Sequence, residues 1–405
     1  MISLKAARAR VLAACPPLET VSVPLAEALG CVTVGPVVSG DDVPPFANTA
    51  MDGYAVRAAD TEGASEANPA RLLVVGTVAA GAAPGRPVGP GQAVRIMTGA
   101  PMPDGADAIA IVEVTSADRD QVLVRRPARA GQHIRHPGGD IASGQEVFPA
   151  GTALGPGHLG VLASIGWERV PVYRRARVGV LSTGDELVQG SVPLQPGQIR
   201  DTNRLTLLSL CRQSGFDVVD LGTARDDEDD IRAAISGAVA TCDALISSGG
   251  VSMGDFDYVK KVLDEVGAMD WMQVAIRPAK PLAFGVVAET PVFGLPGNPV
   301  SSMVSFELFA RPGLRQMMGF TGAALDRPRV RAVTDEAIER RSDGKLHLNR
   351  VVAAPSEEDG RFHVHSSGGQ ESHLLRAMAL ANALALVPDG PGIPAGGDVD
   401  LLLLG

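Results

Sequence analysis

Hydrophobic and polar positions alternate in three different rhythms along the chain. The first stretch, residues 1 to about 45, opens with "SLKAARARVLAAC", which reads as a helix, and continues as a short apolar segment running into "DDVPPFANTAMDGYAV". From about 46 to 141, glycine and proline punctuate short β-type runs: "RLLVVGTVAAG", "GQAVRIMTGA", "ADAIAIVEV" and "DQVLVRR". Several short strands separated by turn signals predict a small β-rich domain. Residues 142 to 172 hold a helix-like "GPGHLGVLASIG" between extended pieces. They are expected to pack with the N-terminal segment, which makes the β-rich unit an insertion.

At residue 173 the rhythm changes. "RVGVLSTGDEL" predicts a strand and loop, "DTNRLTLLSLCRQSG" a helix with an N-cap group and a closing glycine, and "FDVVDLG" a strand. "DDEDDIRAAISGAVAT" predicts a helix with acids where its dipole favours them, followed by the strand "CDALISS" and the helix "DYVKKVLDEVG". "MDWMQVAI", "LAFGVVA" and "PVFGL" are further strands, and "NPVSSMVSFELFARPGLRQMMG" is the last helix. Strands alternating with helices predict a mainly parallel sheet covered on both faces, over residues 173–325. After "DRPRV" strands resume, so residues 326–405 form a C-terminal β domain. The expected fold class is therefore multidomain α/β plus β.

Length and composition narrow the function. At 405 residues the chain exceeds one ordinary core, and 45% apolar with 20% charged residues is globular composition. A net charge of −10 argues against nucleic acid and anionic membranes as partners, so an anionic substrate would need local positive charge or a metal. Cys15, Cys31, Cys211 and Cys242 form no CxxC pair, which disfavours both zinc and a disulfide framework. The first helix is too polar for a signal peptide, and no run approaches about 18 apolar residues, so a cytoplasmic location is expected.

Candidate chemistry gathers where parallel strands end, because open α/β sheets bind ligands outside their carboxyl edges. Three strands run into acid-bearing loops: Asp185 and Glu186, then Asp226 and Asp227, then Asp255 and Asp257. Carboxylates brought to one edge suit Mg2+, while the glycines of "SSGGVSMGDFDYVK" offer amides to an anion. Blander alternatives stand beside each reading. "RDDEDD" could be a solvated helix start, and Asp185 and Glu186 could be turn and cap groups. The glycine loop is no Walker loop, since GxxxxGK[ST] is absent. In "LPGNPVSS", Pro299 suits a first helical turn, and Ser301 and Ser302 set hydroxyls beside amides expected to be free. Arg277 and Lys280, bracketed by prolines in "RPAKP", offer fixed positive charge. In the β-rich region "MDGYAV" would on its own be a hairpin turn and "IMTGAPMP" a plain loop. The seven histidines show no metal-ligand spacing.

Taken in order, "NTAMDGYAV", "RIMTGAPMP", "LSTGDEL", "RDD", "SSGGVSMGDFDYVK", "RPAKPLAFG" and "LPGNPVSS" resemble the molybdopterin molybdenumtransferase family, to which the catalytic domain of gephyrin belongs. "SHLLRAMALANALALVP" extends the resemblance into the C-terminal part. It implies a four-part protomer: an N-terminal and linker domain (1–45 and 142–172), an inserted β-rich domain (46–141), a three-layer α/β domain (173–325) and a C-terminal β-barrel (326–405). It further implies a homodimer whose clefts are shared between chains. The implied reaction is Mg2+-dependent insertion of molybdate into adenylyl-molybdopterin with release of AMP. Partners implied are molybdopterin adenylyltransferase and downstream cofactor-accepting enzymes. The implied catalytic positions are Asp52, Thr98, Glu186, Asp226, Asp257, Pro296 and Pro299, with Glu186, Asp226 and Asp257 on the metal. Gly249, Gly250, Ser252, Arg277, Lys280 and Ser301 line the substrate. One departure stands out: many members read Lys-Pro-Gly-Lys-Pro where this chain has Arg277-Pro278-Ala279-Lys280-Pro281. The alternatives are the same-fold adenylylation of molybdopterin by ATP, disfavoured by the wording of the glycine loop, and a non-enzymatic gephyrin-like scaffold, which would not need these acids.

Overall fold

Strands Arg177–Thr183, Ala244–Ser248 and Thr290–Leu295 are buried along almost their whole length, as expected where helices cover both faces of a parallel sheet. In this computed structural model they lie at the centre of a six-stranded sheet. Its order is Asp217–Ala224, Arg177–Thr183, Ala244–Ser248, Thr290–Leu295, Pro281–Val287, Ala268–Gln273. The first four strands run parallel, and Pro281–Val287 runs opposite to both of its neighbours, so Ala268–Gln273 points the same way as the first four. The structure describes residues 1–83, 86–249 and 258–404. They divide into two units: Met1–Val23, Gly30–Val34 and Pro171–Gly405 in one, Pro24–Leu29 and Gly35–Val170 in the other.

Side-chain alternation along the central strands separates two cores. Val178, Val180 and Ile246 face one core together with Leu207, Leu208 and Cys211 of helix Asn203–Gln213. Leu181 and Leu245 face the other, with Ile231 and Ile235 of helix Glu228–Val239 and Val259 and Val262 of helix Tyr258–Val266. Helices on both faces of one sheet make the three layers. Ala7 and Val11 of the first helix, Leu4–Ala13, join the first core.

The last helical stretch runs from Pro299 to Met317 and passes through a π-helical turn at Phe306–Ala310. Pro312 has no N–H with which to reach the carbonyl of Leu308 four residues back. Arg8 of the first helix supplies a donor instead, its Nη1 lying 2.7 Å from that oxygen. Arg8 Nη2 also pairs with Asp326 at 2.8 Å. In return, Gln316 Nε2 donates to Leu12 O (2.7 Å) and Cys15 O (2.9 Å), satisfying the carbonyl end of the first helix.

The C-terminal strands close on themselves. Leu346–Pro355, Phe362–Ser366, Arg329–Thr334, Asp398–Leu403 and Ala383–Val387 pair in turn, and the last returns to the first, a five-stranded barrel without free edges. In the second unit a six-stranded sheet has the order Ala108–Ile111, Gly53–Val56, Gln92–Ile96, Ala70–Val78, Gln121–Val124, Thr115–Asp118. The four cysteines are free and buried, and burial pushes the Cys15 thiol up to about 12. Among the described residues no helix is long and apolar enough to cross a membrane.

Replacing Arg8 by Met keeps the apolar stem but removes both the donor to Leu308 and the partner of Asp326. The expected loss is about 1–3 kcal/mol, the cost of leaving buried polar groups without partners. Urea unfolding of the two chains measures it; equal midpoints would show that Leu308 and Asp326 find other donors.

Candidate functional site

Two motifs of the β-rich unit are brought together by strand register. Gly53 pairs with Ile96 in an antiparallel ladder, which sets Asp52 beside the residues that follow the strand. One oxygen of Asp52, Oδ1, accepts from both the amide and the hydroxyl of Thr98, each at 2.7 Å. Thr49 ties the same two segments, its amide donating to Ala100 O (3.1 Å) and its carbonyl accepting from Gly99 N–H (2.9 Å). "MDGYAV" is therefore a strand start and not a hairpin turn. Gly53 is required there because a Cβ would lie 2.3 Å from Ala110 O on the neighbouring strand. The Thr98 amide, then its hydroxyl, hold the exposed Asp52 carboxyl below its ordinary range.

At the carboxyl edge of the α/β sheet, two acid loops are bonded to each other. The amide of Asp185 donates to Asp226 Oδ2 at 3.3 Å, and the amide of Asp226 donates to Asp185 Oδ1 at 3.2 Å. Asp185 and Glu186 also lie in a turn, and Asp227, as N-cap of helix Glu228–Val239, accepts from the amides of Asp229 and Asp230 at 3.0 and 3.1 Å. Glu186 folds back over Gly184, where a Cβ would stand 2.5 Å from Glu186 Oε2, and the backbone there has φ +143°. A side chain at position 184 would displace that carboxylate.

Gly249, with φ +98°, sits between strand ends: its amide donates to Leu295 O at 3.2 Å, and a Cβ would lie 3.0 Å from Thr183 O. Pro296 and Gly297 follow Leu295, and Gly297 lies opposite Gly249. Pro299 occupies the first turn of its helix, as its chemistry favours. The expectation of free amides there needs correcting, because Val300 N–H donates to Ser372 O at 3.2 Å. Ser301 and Ser302 are buried, and the Ser302 hydroxyl has no partner. Gly250, Ser252, Asp255 and Asp257 lie outside the described residues.

Arg277 and Lys280 are both exposed but serve different surroundings. Arg277 pairs in register with His347 of the barrel and lines a cavity of about 340 Å3 with Arg340, Arg341 and Arg350. Lys280 precedes strand Pro281–Val287, and its carbonyl accepts from Val274 N–H at 2.8 Å. Between them Ala279 is buried at φ +73°, a left-handed conformation that costs an alanine about 1 kcal/mol or more. A glycine at position 279 would take that dihedral without strain.

Three polar residues, two beside the ends of the α/β strands and one inside a barrel strand, escape a reading by motif. Asp201, with a side chain only 1% exposed, accepts from the hydroxyls of Ser182 (3.1 Å) and Thr223 (3.2 Å). Asn203 Nδ2 donates to Ser248 Oγ (2.8 Å) and Gly297 O (2.7 Å). Arg350 is fully buried, with Nη2 on Gly369 O and Glu371 O and Nε unpartnered. The first two stand in "DTNR", where a helix start accounts for Asp and Asn without any further role.

A mainly parallel α/β domain with acid loops at its carboxyl edge, combined with a β-rich unit and a closed barrel, defines a multidomain α/β plus β protein. Residues 2–166 match the MoeA N-terminal region (domain I and II), 179–316 the probable molybdopterin binding domain, and 336–404 the MoeA C-terminal region (domain IV). The chain is 41% identical over 390 residues to molybdopterin molybdenumtransferase 2 of Mycobacterium tuberculosis, spanning 94% of this chain and 93% of that one. It is 37% identical over 401 residues to the molybdopterin molybdenumtransferase of Haemophilus influenzae, spanning 98% and 97%. A crystal structure of the molybdopterin biosynthesis moeA protein from Pyrococcus horikoshii superposes with a TM-score of 0.81 at 29% identity over all of both chains. The chain belongs to the molybdopterin molybdenumtransferase family, a family of enzymes.

The Asp52–Thr98 pair is open to direct test by carboxyl NMR titration. Asp52 should titrate below about 3.9, the value of an unperturbed aspartate. Thr98→Val removes the hydroxyl and should move the midpoint upward. Because the native-state value is depressed, the pair's stabilisation is present above the unfolded value and is lost as pH falls through the folded one. A midpoint unmoved by Thr98→Val would show that the hydroxyl does not hold the carboxylate.

Proposed function

We propose that this chain inserts molybdate into adenylyl-molybdopterin, releasing AMP and forming molybdenum-molybdopterin. The observation that carries the reading is the mutual bonding of the Asp185 and Asp226 loops at the parallel-strand edge, in a chain of this family. Both substrates are anions, so a site of backbone amides and carboxylates needs a cation between them. The donors here are hard carboxylate oxygens, which suit Mg2+. Among the described residues no three such side chains converge, and the proposed set is Glu186, Asp226 and Asp257, as the family resemblance implies. When bound, Mg2+ would neutralise and polarise the phosphoanhydride. Gly249, Gly250 and Ser252 would take anionic oxygens, and Arg277, Lys280 and Ser301 the oxyanion. Pro296 and Pro299 shape the loop through which the pterin is held.

In the same proposal the chain is a cytoplasmic homodimer. Asp52 and Thr98 serve the partner's acid loops, the domains divide near residues 46, 142, 173 and 326, and the product passes from the adenylyltransferase to cofactor-accepting enzymes.

Purified protein given adenylyl-molybdopterin, Mg2+ and molybdate should release AMP and yield cofactor that reconstitutes a molybdenum enzyme, and chelating the metal should stop both. No product from authentic substrate would overturn the reading. ATP consumption with metal-free molybdopterin would point to adenylylation, and full rescue of a cofactor-deficient cell by Asp226→Ala would point to a scaffold.

Shared clefts make a second prediction. Asp52→Ala and Asp226→Ala should each be inactive, and after subunit exchange their equal mixture should recover about a quarter of wild-type activity. Random pairing makes half the dimers mixed, each with one intact cleft. No recovery, with exchange verified by mass spectrometry, would place each cleft within one chain.

A further inference from the structure

Four strand ends deliver the loops assigned to the reaction: Thr183 leads to Asp185 and Glu186, Ala224 to Asp226, Ser248 to Gly249, and Leu295 to Pro296 and Gly297. The acid loops among them are exposed, and their strands alone do not fix how far each leans from its neighbours. A segment of four residues, Asp201-Thr202-Asn203-Arg204, reaches all of them. The Asp201 carboxylate takes the hydroxyl of Ser182 on the first strand and of Thr223 on the second. It is itself held by Arg204, through the backbone amide at 3.1 Å and Nε at 3.3 Å. Arg204 Nη1 is in turn anchored on both oxygens of Asp220 at 2.6 Å. Two residues further on, Asn203 joins the third loop to the fourth through Ser248 Oγ and Gly297 O.

We infer that Asp201 and Asn203 are positioning residues that brace the four loops against one another from one turn of chain. The inference rests on the proposed reaction for its effect on turnover, though not for the brace itself. Asp201 sets the spacing of the two acid loops, and Asn203 that of the glycine and proline loops. Neither needs to touch substrate. Their removal should change the geometry of reacting groups more than the affinity for the pterin, and a displacement of about 1 Å costs up to roughly a hundredfold in rate.

The test compares wild type with Asn203→Ala and, should that chain fold poorly, with Ser248→Ala, which cuts one arm of the brace from the other side. Thr223→Val does the same for Asp201. In folded Asn203→Ala, kcat should fall about tenfold to a hundredfold while KM for adenylyl-molybdopterin moves less than about threefold. The double variant Asn203→Ala/Ser248→Ala should be no slower than Asn203→Ala, because both cut the same link. Amide exchange at Gly249 and Gly297 should speed up in Asn203→Ala. Unchanged kcat with unchanged exchange would overturn the brace, as would losses that add in the double variant. If wild type itself makes no cofactor, the functional reading fails, and the exchange measurement alone still decides the brace.

Discussion

A carboxylate removed almost entirely from water is costly unless donors surround it. Asp201 meets that demand at the edge of the α/β sheet, where it draws on two hydroxyls from neighbouring strands, a helix amide and a guanidinium. The requirement runs in both directions. Ser182 is buried and Thr223 half-buried, and both find an acceptor there, so the carboxylate and the strand ends hold each other in place. Asp185 and Asp226 stand on exposed loops beyond Thr183 and Ala224, and their reciprocal bonds join those two loops above the buried strand ends. A short buried polar network thus underlies an exposed acidic one.

The last helix links this edge to the rest of the unit. It begins at Pro299 beside the site and ends deep in the core, where Leu314 and Met317 are buried. Its π-helical turn carries Glu307, only 2% exposed and bonded by Arg327 Nε and Nη2, each at 2.9 Å. Pro312 interrupts the backbone ladder one turn later. Arg8 and Gln316 turn that interruption into a seam with the first helix, in which each helix satisfies carbonyls of the other. The first helix, Leu4–Ala13, is therefore joined to the α/β layers by hydrogen bonding as well as by packing.

The alternation of strands and helices after residue 173 was readable because fully buried strands such as Ala244–Ser248 are short apolar runs and the helices between them carry caps. The α/β core, the β-rich sheet and the loops of Asp185 and Asp226 were legible on that basis. Strand register was not, since side-chain periodicity gives the face of a residue but not its partner. For that reason "MDGYAV" looked like a turn until Gly53 was seen pressed against Ala110 O. The closed barrel came only from the resemblance, because local pattern does not report that Leu346–Pro355 pairs on both sides. Asp201 and Asn203 were hidden for a simpler reason. A polar residue at a helix start is explained by capping, and Asp201 does accept from the Arg204 amide, but the same carboxylate also takes two strand hydroxyls, and Asn203 reaches Ser248 and Gly297, which capping does not require.

The remaining constraint is charge. A chain of net charge −10 that handles two anions cannot rely on its overall field to attract them. The acids at the strand ends worsen the local balance unless a cation is bound. Protein positive charge enters from another element, since the Ile276–Arg277 strand leaves the sheet to pair with Leu346–His347 of the barrel. That pairing brings Arg277 to the cavity shared with Arg340, Arg341 and Arg350, and the buried Arg350 guanidinium keeps its Nε without a partner. Burial lowers the pKa of Arg350, yet an arginine stays charged across the physiological range. Acids on the sheet edge and guanidinium groups on the barrel are thus separate contributions from two architectures, joined through one short strand. Glu339 and Asp343 line the same cavity, and Arg340 is held by Asp343 and Asp389 at 2.8 Å each, so part of this positive charge is already balanced within the barrel.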